Sequence, residues 1–85
     1  EAALVLSRSL AAAEAAAAKG TSIEALRALI ADTITAEPRA TLRGLDIAGA
    51  DDLSEITGPL TSRAAIMLSA EFGGVLLLDQ RVVSP

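Results

Sequence analysis

Two apolar runs flank the glycine pair Gly73-Gly74 near the end of the chain, and together they span residues 64–83. Glycine adopts positive φ angles without steric cost, so a Gly-Gly pair between such runs predicts a β-hairpin. Successive side chains of a strand point to opposite faces, and a slip of one residue exchanges the two faces. The length of the hairpin loop therefore decides which side chains this chain buries.

Two loop lengths fit the sequence. A two-residue loop places charges opposite the largest apolar side chains, in the pairs Leu68–Asp79 and Ile66–Arg81. A three-residue loop, Phe72-Gly73-Gly74, instead gives the pairs Ala70–Leu76, Leu68–Leu78 and Ile66–Gln80. It also collects the polar residues Ser69, Glu71, Asp79 and Arg81 on the other face. We therefore predict the three-residue loop.

The first half of the chain predicts two helices. Residues 1–18 are rich in alanine and leucine, with an apolar stripe at Leu6, Leu10, Ala13 and Ala17. Lys19 and Gly20 form a stop signal. The alanine-rich face permits close packing on a neighbour, but high helix propensity is the simpler explanation.

A second helix follows the short link 19–21. Thr21 and Glu24 have the spacing of a capping box, in which Thr21 caps the helix and Glu24 accepts from the Thr21 amide. An apolar stripe follows at Ile23, Leu26, Leu29, Ile30 and Ile34. Pro38 predicts that the helix ends near Ala36. The short link makes the two helices antiparallel neighbours.

A third strand is predicted at Thr41–Ile47, with a possible bulge at Gly44. Residues 50–53 suggest a short helical turn capped by Asp51, and Gly58-Pro59 suggests a turn before the hairpin. The predicted fold is α+β, with two antiparallel helices packed on a three-stranded antiparallel sheet that ends in the hairpin. We expect the helices to cover the face with Ile66, Leu68 and Leu78. The opposite face, with Val75, Leu77 and Met67, is expected to contact another domain or subunit.

Composition excludes several classes of function. The formal charge is −4 without a basic cluster, which argues against binding nucleic acid or an anionic membrane surface. The sequence has no cysteine, histidine or tyrosine, so thiolate metal sites and the usual proton-transfer groups are missing. The absence of cysteine fits a cytoplasmic protein. The chain begins at Glu1 without an initiator Met, so we expect a single domain, residues 1–85, of a longer protein.

Four sets of charged residues are candidate sites, and for each an ordinary structural explanation is preferred. The acidic residues Asp46, Asp51, Asp52 and Glu55 lack the spacing of a calcium loop and indicate a solvated loop. Asp46 and Asp79 are a weak candidate for a carboxylate pair, and Asp79 with Arg81 is best explained as a surface ion pair. Arg43 and Arg63 are candidates to touch a phosphate borne by a partner domain, but solvated arginines are preferred. No catalytic, cofactor-binding or metal-binding residue is assigned.

The order of elements resembles the end of the pantothenate synthetase family. The resemblance rests on the A-x-x-L-S-x-x-L pattern of residues 3–10, the Ile56–Thr61 segment, and the closing Gly73–Gln80 segment. The family closes with a G-x-x-R-L-I-D-N pattern, whereas this chain lacks the basic residue near Leu77 and has Gln80 in place of Asn.

The resemblance implies a C-terminal lid domain of an ATP-dependent ligase that joins pantoate to β-alanine through a pantoyl-adenylate. It implies that ATP, Mg²⁺ and the catalytic groups belong to an N-terminal domain, that this chain alone binds no cofactor and is inactive, and that the full enzyme is a homodimer. The alternative is a stand-alone interaction or dimerisation module that uses the apolar sheet face. An independent enzyme is the third and least favoured hypothesis.

Overall fold

The computed structural model describes the backbone of residues 2–85 and the side chains from Leu4 onward. Two helices, α1 (Ala2–Ala18) and α2 (Ile23–Thr35), precede three strands, β1 (Ala40–Gly49), β2 (Ala64–Phe72) and β3 (Val75–Val83). The strands form one antiparallel sheet in the order β1-β2-β3. The predicted α+β class is therefore confirmed. Glu1, which the prediction placed in the first helix, lies outside the described residues.

The core lies between the helices and one face of the sheet. The predicted stripe of α1 is buried, and Ala13 and Ala17 are fully buried within it. Alanine therefore does provide close packing at these two positions. The stripe of α2 contributes Ile23, Leu26, Ile30 and Ile34, and Leu29 is half-buried beside it. Gly20 ends the α1 region with a φ of +89°, as the stop signal predicted.

The cap of α2 differs from the prediction. Ser22 is the N-cap, and its hydroxyl oxygen accepts from the Ala25 N–H at 3.1 Å. The Thr21 carbonyl accepts from the Leu60 N–H, because residues 21–23 run beside the loop at 58–60. The Glu24 carboxylate accepts from the Gly58 N–H at 3.1 Å rather than from Thr21. The Thr21–Glu24 capping box is wrong because a long-range loop contact engages both residues. The helix ends at Thr35, before Pro38, as expected.

The hairpin has a two-residue loop, so the predicted three-residue loop is wrong. Gly73 and Gly74 both have positive φ, +55° and +84°, and Phe72 pairs with Val75. Two consecutive positive φ angles give a turn whose twist matches that of the strands. The pairs expected for the two-residue loop, Leu68–Asp79 and Ile66–Arg81, are therefore the ones that form.

The helices make this register possible. Arg81 lies on the covered face, and its guanidinium Nη1 donates to the Glu14 carboxylate of α1 at 3.2 Å. A long arginine side chain can cover apolar surface with its stem while its charge stays at the rim. The buried Val83 and the partly buried Leu77 pack on the core from the same strand face.

The corrected register exchanges the two faces of β3. Leu78 is 75% exposed rather than covered by the helices. Val75 and Leu77 lie on the helix side, although Val75, at the turn, stays exposed. Met67 lies on the opposite face, as predicted. That face carries Ser69 and Glu71 but neither Asp79 nor Arg81, whose partners in β2 face the core.

The first strand is longer than the predicted Thr41–Ile47, and it contains the predicted bulge. The pairing with β2 shifts between Leu42 and Gly44, so Arg43 is the extra residue. An added Cβ at position 44 would lie 2.7 Å from Ser69 Oγ, so a side chain there would force the Ser69 hydroxyl to move. Gly44 therefore lets β1 and β2 stay close where the strand bends.

The connection between β1 and β2 starts with a single helical turn at the predicted residues 50–53, but Asp51 does not cap it. Leu53 has a φ of +57°, and its N–H donates to the Gly49 carbonyl at 2.8 Å. Asp52, not Asp51, supports the turn by accepting from the Ser54 N–H at 3.0 Å. Hydrogen bonding by Ser54, through its side chain and its N–H, lowers the pKa of Asp52. Asp51 instead pairs with Arg63 at 2.7 Å, because the backbone of position 50 bonds to that of position 63.

Replacing the N-cap tests the corrected start of α2. We expect Ser22→Ala to lower the free energy of unfolding by about 1 kcal/mol, because the Ala25 N–H loses its partner. Urea unfolding monitored by circular dichroism measures the change. Thr21→Ala is the matched control and is expected to have little effect. A larger loss for Thr21→Ala than for Ser22→Ala would contradict this cap.

The hydrogen bonds to Asp52 predict a pH-dependent contribution to stability. Since its pKa is lower in the folded chain, Asp52 stabilises the fold above the ordinary carboxyl pKa of about 3.9, and this contribution disappears as the pH falls through the folded pKa. Asp52→Ala is therefore expected to be less stable than the parent near neutral pH and to approach it in acid. Urea unfolding across this pH range measures the difference, and a constant difference down to pH 2.5 would refute it.

Candidate functional site: the open face of the sheet

The side of the sheet that faces away from the helices is here called the open face. Strand register places on it alternate residues of each strand, which are Thr41, Gly44, Asp46 and Ala48 of β1, Ala65, Met67, Ser69 and Glu71 of β2, and Leu76, Leu78, Gln80 and Val82 of β3. The helices cover only the other side. The open face therefore has no covering layer in the described part of the chain.

Large apolar side chains gather on the open face. Leu76, Leu78 and Val82 are 54%, 75% and 48% exposed, and Met67 is half-buried beside them. The other large exposed apolar residues in the described part of the chain are Leu4 on α1, Leu53 in the long loop and Val75 at the turn. Isolated exposed residues are normal, whereas a group on one face indicates an interaction surface.

A shallow hollow of about 570 Å³ lies in the middle of this face. All three strands line it, through Gly44, Asp46, Met67, Leu68, Ser69, Leu78, Asp79 and Gln80. Gly44 has no side chain, so the hollow is deeper at that position. Alternation along the strands turns the side chains of Leu68 and Asp79 to the covered face. The hollow therefore combines apolar walls from Met67 and Leu78 with polar groups from Ser69, Gln80 and Asp46.

The charges of the open face largely cancel. Arg43, at the bulge, pairs with Glu71 at 2.9 Å. Asp46 is exposed and belongs to none of the ion pairs found among the described side chains. The face thus presents an apolar surface with one uncompensated negative charge at its hollow.

On each edge strand of the sheet, a side chain forms a hydrogen bond with one backbone group. On β1, the Arg27 guanidinium from α2 donates to the Leu45 carbonyl at 2.7 Å. On β3, the Asp79 carboxylate accepts from the Gln80 N–H at 2.8 Å. Free backbone groups on an edge strand attract a further strand, so these contacts disfavour strand addition. A partner would then approach the open face rather than an edge. No local sequence pattern predicts the Arg27 contact, because it joins residues 18 positions apart.

The carboxylate candidates do not come together. Asp46 lies on the open face, Asp79 has its side chain on the covered face, and β2 separates their strands. The expected Asp79–Arg81 ion pair is wrong, because Arg81 reaches Glu14 of α1 instead. In residues 2–85 there is no group of three or more carboxylates close enough to hold a metal ion.

The two arginine candidates are exposed, and each has an acidic partner within the chain. Arg43 pairs with Glu71 and Arg63 with Asp51. Both ion pairs are solvent-exposed, so each contributes little to stability. A phosphate would have to compete with these carboxylates for the guanidinium groups. No helix in the described part of the chain has the length and apolar character needed to cross a membrane.

Comparison with known proteins links the chain to one enzyme. Over 62 residues it is 31% identical to the pantothenate synthetase of Bartonella tribocorum (strain CIP 105476 / IBS 506). The corresponding values are 30% for Bartonella henselae (strain ATCC 49882 / DSM 28221 / CCUG 30454 / Houston 1) and 31% for Bartonella quintana (strain Toulouse). No protein-family model matches the chain.

These similarities are partial in both directions. Each alignment covers 73% of this chain but 22% of the relative, so the chain spans about a fifth of the length of the relatives it matches. The similarity agrees with the family resemblance found in the residues themselves. It supports a region related to part of pantothenate synthetase.

Proposed function

We propose that this chain is the C-terminal domain of a pantothenate synthetase and covers the cleft in which the rest of that enzyme forms pantothenate. The observation that carries the proposal is the 62-residue similarity to the Bartonella enzymes. The confirmed order of two helices followed by a three-stranded sheet adds support, since it is the order that the family resemblance implies.

The proposed reaction has two steps, and both take place outside this chain. The pantoate carboxylate attacks the α-phosphate of ATP and displaces pyrophosphate, giving a pantoyl-adenylate. The β-alanine amine then attacks the acyl carbon, and AMP leaves. ATP and Mg²⁺ would bind to the remaining part of the enzyme, which would operate in the cytoplasm as a homodimer.

The proposed role of this domain is to exclude water. An acyl-adenylate is readily hydrolysed, and closing a cleft protects such an intermediate. A cover needs a stable fold and a contact surface rather than reacting groups. The described residues provide the first through their shared core and the second through the open face.

A second candidate function is a stand-alone interaction or dimerisation module. The exposed apolar group of Leu76, Leu78 and Val82 favours it, because such a group can also bind a second copy. The two candidates differ in one respect, which is whether this chain supports pantothenate formation when it is joined to the rest of a pantothenate synthetase.

A chimera tests the proposed function. The segment of the Bartonella tribocorum enzyme that aligns with this chain is replaced by this chain, and pantothenate and AMP are measured. We expect the chimera to keep activity within about tenfold of the parent and to form the two products in equal amounts, because water stays excluded. We expect this chain by itself to form no pantothenate.

The control is the same enzyme with a Gly/Ser linker in place of the segment. It is expected to release AMP in excess of pantothenate, because water competes with β-alanine for the adenylate. A chimera no more active than the linker control would argue against the proposed function. Pantothenate formation by this chain alone would refute it.

A further inference from the structure

We propose that the open face is the surface by which this domain docks onto the remaining part of its own enzyme, and that the hollow beside Gly44 receives a basic side chain from that part. This inference rests on the proposed function. It goes beyond that function by assigning the contact to one face and by giving the chemistry of the partner surface.

The distribution of exposed side chains selects this face. The exposed surface of the helices consists mainly of alanine and charged residues, such as Arg8, Glu14 and Asp32, with Leu4 as its large apolar residue. The open face instead places Leu76, Leu78 and Val82 along one strand, next to Met67. Burying apolar area drives most protein association, and it does so in proportion to the area removed from water.

The edge strands limit how a partner can bind. Arg27 donates a hydrogen bond to the Leu45 carbonyl on β1, and the Asp79 carboxylate accepts one from the Gln80 N–H on β3. A strand added to β1 would have to displace Arg27, and a strand added to β3 would have to displace the Asp79 carboxylate, whereas a partner packed on the open face leaves both in place. We therefore infer packing against the face.

Charge and length favour the remaining part of the enzyme over a second copy as the occupant. The chain carries a formal charge of −4, and packing two open faces together would bring two Asp46 carboxylates into one interface. Like charges in an interface disfavour association. The chain spans only 22% of the relatives it matches, so those enzymes contain a much larger body to which a domain of this kind can dock.

Asp46 gives the chemistry of the contact. Its carboxylate lines the hollow, and the Arg43–Glu71 pair leaves it as the uncompensated charge of the face within the described residues. A lysine or arginine has an apolar stem that suits Met67 and Leu78 and a charged end that suits Asp46. We expect the partner surface to be apolar around one such residue.

Met67 is a local probe, because it is the single methionine of the sequence and lies half-exposed on this face. Hydrogen peroxide converts an accessible methionine to the sulfoxide. The oxidation rate of Met67 is measured by peptide mass spectrometry, in the chain alone and in the chimera described above. We expect oxidation to be several-fold slower in the chimera.

Matched variants of the chimera separate this face from the helices. Leu76→Gln and Leu4→Gln each replace a leucine that is 54% exposed, the first on the open face and the second on α1. We expect Leu76→Gln to restore fast Met67 oxidation, and Leu4→Gln to leave it slow. Asp46→Asn is expected to restore fast Met67 oxidation in part. It is also expected to make the Met67 oxidation rate depend less on salt concentration. Urea unfolding of the isolated variants checks that each one folds.

The outcomes distinguish this inference from the proposed function. The chimera could be active and form pantothenate and AMP in equal amounts while Met67 oxidises as fast as in the chain alone. That result would refute the docking face but not the proposed function. If Met67 is protected in a chimera that has no activity, the open face is supported as the docking surface, and the proposed function is refuted. Protection in the isolated chain that grows with its concentration, together with a dimer in sedimentation, would overturn the inference in favour of a second copy.

Discussion

The two-residue turn at Gly73-Gly74 fixes the register of β3 and assigns each side chain of that strand to a face. Both glycines adopt positive φ, and the strands leave the turn with Phe72 opposite Val75. This register sends Val83, Arg81 and Leu77 toward the helices and leaves Leu78 and Leu76 outside. A turn with one more residue would exchange these two sets, and the exposed apolar group that defines the open face would be a different one.

The helices and the sheet depend on each other at this point. A buried arginine opposite Ile66 would be costly, but α1 supplies Glu14 at the rim, so the charge of Arg81 stays partly solvated and paired. In the same way α2 supplies Arg27 to the edge of β1. The helical layer thus buries the apolar face of the sheet and also satisfies polar groups that the sheet leaves at its borders.

The open face is the feature of this fold that bears most directly on function. The described residues bring together no metal-binding group of carboxylates, and the Asp46–Asp79 candidate is divided between two faces. What the fold presents instead is a supported surface with apolar side chains, one hollow and one uncompensated carboxylate. Such a surface is suited to contact with a partner, and the 31% identity to the Bartonella tribocorum enzyme over 62 residues is the basis for proposing that the rest of such an enzyme is that partner.

The sequence by itself determined the elements, because their signals are local. Helical stripes, Gly20, Pro38, the bulge at Gly44 and the presence of a hairpin at Gly73-Gly74 each depend on residues close in the chain, and these were predicted correctly. Only the tertiary structure decided the loop length, the cap of α2 and the exposed face. The partners of Arg81, Glu24 and Arg27 lie 67, 34 and 18 positions away, and packing brings them within hydrogen-bond distance. The register was misassigned because the sorting of apolar and charged residues placed Arg81 on the solvent-facing side of the sheet. In the structure, Glu14 of α1 pairs with Arg81 at the edge of the core.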